Sequence, residues 1–125
     1  MKRLALSAMA FAATVIMVFS PLAWAGDIEY GKEVFNGSAG CHSCHKTTGQ
    51  KSVGPGLAGN AKLHTDEWQA KWLGDPQKTW EENDAETQDL KKRTGKSGEA
   101  KTAMKKRKNL SDEDLKALIA YLKSL

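Results

Sequence analysis

Five consecutive residues, Cys41-His42-Ser43-Cys44-His45, hold both cysteines of the chain and two of its three histidines. Two thiols on one turn, with an imidazole directly after the second, suit three kinds of chemistry. A redox disulfide at this spacing is ordinarily set in a βαβ unit. A structural zinc site wants four donors, and its second pair usually comes from elsewhere in the chain. Here only His42, His45 and His64 remain, and the first two crowd the cysteines. In the third chemistry, two thiols add across the vinyl groups of a haem to make thioether bonds, and the following imidazole falls under the iron. This spacing is the attachment pattern of c-type haem, and it needs neither a sheet nor further cysteines.

The elements that must position this turn read as helices. Lys2 and Arg3, the apolar run Leu4 to Phe19 and the small-residue site Ala23-Trp24-Ala25 form the three-part pattern of a secretory signal peptide. The expectation is a leader over residues 1–25, removed after Ala25, and one domain over residues 26–125. The apolar run falls short of the roughly 18 to 20 residues of a membrane span, and the alternative is a retained anchor. Composition is ordinary for a soluble chain, 40% hydrophobic and 27% charged, which excludes long disorder, collagen and a polytopic membrane protein. The formal charge is +4, and losing Lys2 and Arg3 lowers it further. That is not a nucleic-acid-binding balance.

No strand-like alternation runs far enough to suggest a sheet. Asp27 to Asn36 reads as a first helix with Asp27 as its cap, ended by Gly37 and Gly40. Cys41 to Asn60 is glycine-punctuated loop. Thr65 caps a short helix to Leu73, with Trp68 and Trp72 on one face and Gly74 and Pro76 as its stop. Asn83 to Arg93 is acidic at its start and basic at its end, as the helix dipole favours. Thr94 to Thr102 reads as a flexible polar loop. Ser111 with Asp114 opens the last helix as a variant capping box, and Leu110 with Leu115 stands at staple positions. Leu115, Leu118, Ile119 and Leu122 form its apolar stripe.

Taken in order, Gly31-x-x-x-Phe35, Cys41-His42-Ser43-Cys44-His45, Gly54-Pro55-Gly56-Leu57, Trp72-Leu73-Gly74-Asp75-Pro76, a late methionine and Leu118-Ile119-Ala120-Tyr121-Leu122 make the chain resemble the class I, mitochondrial-like monohaem cytochromes c, in the exported bacterial form. The resemblance implies an all-α fold of about four helices around one covalent haem c, with first and last helices crossing. It implies that Cys41 and Cys44 are the thioether residues and His45 the proximal iron ligand. The Pro55 carbonyl would accept a hydrogen bond from the other His45 nitrogen, and Leu57 would pack on the haem face. Gly31 and Phe35 would meet Leu118 and Tyr121. Met104, the one methionine outside the leader, is implied as the distal ligand; Lys105 follows it where family members often have proline. His64 is the competing ligand, though its place beside Thr65 reads as surface. Among Trp68, Trp72 and Trp80, Trp72 is the first choice to line the pocket and meet a haem propionate. His42 is a bystander.

The function so implied is periplasmic one-electron transfer between redox partner proteins, not catalysis. Lys105, Lys106, Arg107 and Lys108 are expected to receive an acidic partner face. A monomer with no membrane span after cleavage is expected. The alternatives are a haem sensor or peroxidase-like domain with a labile or open sixth position, or a haem subunit of a larger redox enzyme.

Overall fold

The computed structural model describes residues 22–125. Most of the expected leader therefore lies outside the described residues. Five α-helices follow one another: α1 Leu22–Asn36, α2 Asp66–Gly74, α3 Pro76–Glu82, α4 Ala85–Arg93 and α5 Asp112–Lys123. Single 3₁₀ turns stand at Cys41–Ser43 and Asn60–Lys62, and no strand occurs among the described residues. The all-α reading holds, with five helices among the described residues where about four were expected.

The first helix starts earlier than its sequence signals suggest. Asp27 lies within α1 rather than capping it. The helix then crosses α5 at close range. A Cβ built on Gly31 would overlap the Ala117 carbonyl and press on Tyr121 Cβ, so only glycine permits this approach. Phe35 meets Tyr121 edge-on, ring centres 5.4 Å apart. Leu118 is wholly buried between them, among Val34, Leu73 and Leu122. At the other end of the crossing the Tyr30 hydroxyl donates to Asp114 at 2.5 Å.

Helix α5 begins as its sequence indicates. Ser111 Oγ accepts the Asp114 N–H at 3.1 Å, and the Asp114 carboxylate accepts the Ser111 N–H at 2.9 Å. This reciprocal pair satisfies two of the donors a helix start leaves free. Its apolar stripe faces the main core, with Leu110, Leu115 and Ile119 half-buried at the margin.

Helix α3 is the element that sequence reading missed. Gly74 and Pro76 read as the stop of α2, yet Asp75 and Pro76 also start the next helix. The Asp75 carboxylate accepts the Lys78 N–H at 3.1 Å, and proline at the first helical position gives up an N–H that needs no partner there. Asn83, at φ 52°, ends α3 in the left-handed region. Asp84 then caps α4 by accepting the Thr87 N–H at 2.9 Å. Helices α2, α3 and α4 together enclose a second, tryptophan-rich core of Trp68, Trp80 and Leu90, which Trp72 joins to the first.

Candidate functional site

The cysteine turn is set by its hydrogen bonds. Gly40, at φ 60°, directs the chain into the 3₁₀ turn. The Cys44 and His45 N–H groups both reach back to the Cys41 carbonyl, at 3.1 and 3.0 Å. Cys41 is buried in the main core, Cys44 is half-buried, and both are free thiols. Burial pushes the Cys41 thiol up, against an opposing pull from the Arg107 guanidinium. His42 is exposed.

His45 is oriented by the loop that follows. Its Nδ1 lies 2.9 Å from the Pro55 carbonyl. A carbonyl only accepts, so Nδ1 carries the proton and Nε2 keeps its lone pair. The Gly54 N–H bonds the Cys44 carbonyl at 2.8 Å, which draws that loop against the ring. A Cβ at Gly54 would strike the imidazole at Cε1. This backbone contact and the Pro55 bond hold the ring in one orientation.

Met104 and Trp72 meet across the same core. Trp72 Nε1 donates to the Met104 sulfur at 3.0 Å. Both side chains pack, half-buried, with Leu57 against the cluster that contains Cys41. The one N–H of Trp72, expected to meet a haem propionate, is directed at the Met104 sulfur in this structure. The other two indoles are also committed: Trp68 donates to Thr87 Oγ1 at 2.9 Å and Trp80 to the Glu99 carbonyl at 2.8 Å.

His64 is not a surface residue; it is only 7% exposed. Its Nδ1 meets Glu86 at 3.3 Å and its Nε2 meets Arg93 at 3.0 Å. Arginine only donates, so Nε2 is the acceptor and Nδ1–H the donor. Burial holds its pKa below the usual histidine range, with the Glu86 hydrogen bond working the other way. The ring stacks on Trp68 at 3.9 Å, and Trp68 stacks on Trp72 at 5.1 Å. With both nitrogens occupied, His64 is a packing residue here and offers no lone pair as a ligand.

Two features near Met104 carry no sequence signal. Gln77 and Thr102 bond the backbone that leads to Met104, so the segment from Thr94 to Thr102 is tied down rather than loose. Arg107 is half-buried, and its Nε is a buried donor without a hydrogen-bond partner among the described residues.

The donor set fits a covalently held haem. It has two free thiols on one turn, an imidazole with a fixed tautomer and a free Nε2, a thioether in the same apolar cluster, and an unsatisfied cationic donor whose field reaches Cys41. Comparison with curated proteins and with solved structures yields no significant match. The family model for cytochrome c matches residues 28–125, which takes in the crossing helices, the cysteine turn and the methionine loop. The chain therefore belongs to the cytochrome c family: it is a monohaem c-type cytochrome, an electron-transfer protein with covalent haem c.

Proposed function

We propose that this cytochrome is a one-electron shuttle of the periplasm, exported by its leader, with its haem held by Cys41 and Cys44 and its iron between His45 and Met104. The observation that carries the ligand assignment is the Trp72–Met104 contact, 3.0 Å long, beside the core that contains Cys41. A thioether sulfur gains little from an indole N–H in a half-buried position unless its direction matters. The bound haem iron supplies the redox change, one electron at a time. The chain's own residues keep the site unchanged between the two states. Pro55 holds the His45 ring, Gly54 seats it, and Trp72 aims the sulfur. Fixed ligands keep reorganisation small, which favours a carrier over an enzyme that must open a coordination position.

Lys105, Lys106 and Lys108 are exposed directly after Met104, with Arg107 half-buried among them. Lys106 lies 3.4 Å from Asp75, and the pair is exposed enough to part for a partner. This basic segment is the docking site for an acidic face on the redox partner.

Visible spectra of the holoprotein test the assignment. Sharp reduced bands of low-spin c-type haem and a weak far-red ferric iron–thioether band are expected. Met104→Ala should abolish the far-red band; a spectrum unchanged by that substitution would sink Met104 as ligand.

A further inference from the structure

We propose that α3 is a clamp on the methionine loop, with Gln77 and Thr102 as positioning residues for Met104. The inference rests on Met104 being the distal ligand.

The loop needs holding from outside. Thr94 to Ala103 contains no large apolar side chain, so it has no core anchor of its own to offset the entropy of ordering, roughly 1–2 kcal/mol per residue. Lys105 follows Met104, so no proline ring stiffens the backbone there. The loop is nonetheless gripped along its length by one short helix. Trp80 Nε1 donates to the Glu99 carbonyl at 2.8 Å. Gln77 Nε2 donates to the Ala100 carbonyl at 3.3 Å, and Gln77 Oε1 accepts the Thr102 N–H at 3.1 Å. Thr102, itself buried, passes the restraint on: its hydroxyl accepts the Met104 N–H at 3.2 Å. Beyond Met104, Asp75 at the start of α3 pairs with Lys106.

The chemistry of the clamp selects its residue types. A primary amide can accept one backbone N–H and donate to a nearby carbonyl at once, from atoms about 2 Å apart. The second amide hydrogen of Gln77 goes to Glu81 at 2.8 Å. All three bonds agree on one amide orientation, because the Thr102 N–H must meet oxygen and the Ala100 carbonyl must meet nitrogen. The clamp stands on a rigid base: Pro76, Thr79 and Trp80 are buried, so α3 cannot follow the loop if the loop swings away.

Displacement of the sulfur by added imidazole reads this directly. Ferric holoprotein is titrated with imidazole at neutral pH, following loss of the far-red band. Gln77→Ala and Thr102→Ala should each bind imidazole about 5- to 10-fold more tightly, as expected when a hydrogen bond favouring the closed loop is lost. Thr102→Ser keeps the hydroxyl and should stay within about twofold of wild type on the same grounds. Tyr30→Phe breaks a bond on the α1–α5 side and should lower the melting temperature without changing imidazole affinity. If Gln77→Ala does not fold, the Thr102 pair decides alone. Wild-type affinity in Gln77→Ala and Thr102→Ala, with the far-red band present, overturns the clamp and leaves the ligand assignment standing. Equal tightening in Tyr30→Phe also overturns it, since the effect would then be general loosening. Absence of the far-red band from the wild type overturns the ligand assignment and the clamp with it.

Discussion

If Met104 ligates the iron as proposed, Trp72 is a donor placed to tune that ligand without replacing it. Its indole N–H points at the Met104 sulfur and would draw electron density away from an iron bound there. A weaker donor disfavours the ferric state, so on the proposed ligation this bond would raise the reduction potential. Trp72→Phe keeps the ring and deletes the donor. The midpoint potential should fall by on the order of 20–60 mV, the one-electron equivalent of a typical hydrogen bond. Redox titration of the holoprotein measures it, and an unchanged or raised potential would contradict the role. His64 is the counterexample at this scale. Its residue type suggests a ligand, but Glu86 and Arg93 occupy both nitrogens.

Between elements, the α1–α5 crossing is the contact that fixes the frame. Gly31 lets the Ala117 carbonyl approach where any side chain would collide with it. Gly31→Ala must therefore force the helices apart or distort them. Overpacking of this kind costs about 3 kcal/mol, and the loss should appear in denaturant unfolding of the holoprotein. Stability within about 0.5 kcal/mol of wild type, the range of ordinary surface substitutions, would mean that the helices slide without cost. Helices α2 to α4 add polar ties to their tryptophan core. Partial burial works against ionisation of Asp84, but the Thr87 N–H, Lys71 and the Thr87 hydroxyl outweigh it and hold its carboxyl down at about 2. The α4 cap is therefore charged throughout the physiological range.

Over the whole molecule, charge is segregated along the chain. Glu81, Glu82, Asp84, Glu86 and Asp89 fall on α3, α4 and the turn between them, while Lys105 to Lys108 follow the methionine loop. Much of the acidic set is used internally: Lys71 bridges Glu82 and Asp84, and Arg93 pairs with Asp89. Of the basic segment, Lys106 alone forms an ion pair among the described residues, as the proposed docking of an acidic partner there would need. Reversal of Lys105, Lys106 and Lys108 to Glu should slow second-order electron transfer to an acidic partner by about tenfold or more at low salt. Variant and wild-type rates should converge toward about 1 M ionic strength, where the screening length shrinks to about 3 Å. Stopped-flow rates across salt concentration check this, and equal rates at low salt would remove the patch from the docking site.

The attachment motif, the Gly31–Phe35 helix face and the α5 cap were legible as sequence because each rests on residues close together in the chain. Thiol spacing, helical periodicity and an Ser–Asp pair three residues apart are local quantities. Their partners across the fold were reached through resemblance and match the packing seen for Gly31, Phe35, Leu118 and Tyr121. Other features were decided only by distant contacts. The start of α3 hid inside the stop signal of α2, because Asp-Pro serves both purposes. The burial of His64 depends on Glu86 and Arg93, 22 and 29 residues away. The direction of the Trp72 N–H depends on Met104, 32 residues on. The loop before Met104 reads as flexible because its own residues carry no anchor. It is ordered by a glutamine on another element, and a hydrogen bond across such a separation leaves no pattern in the chain.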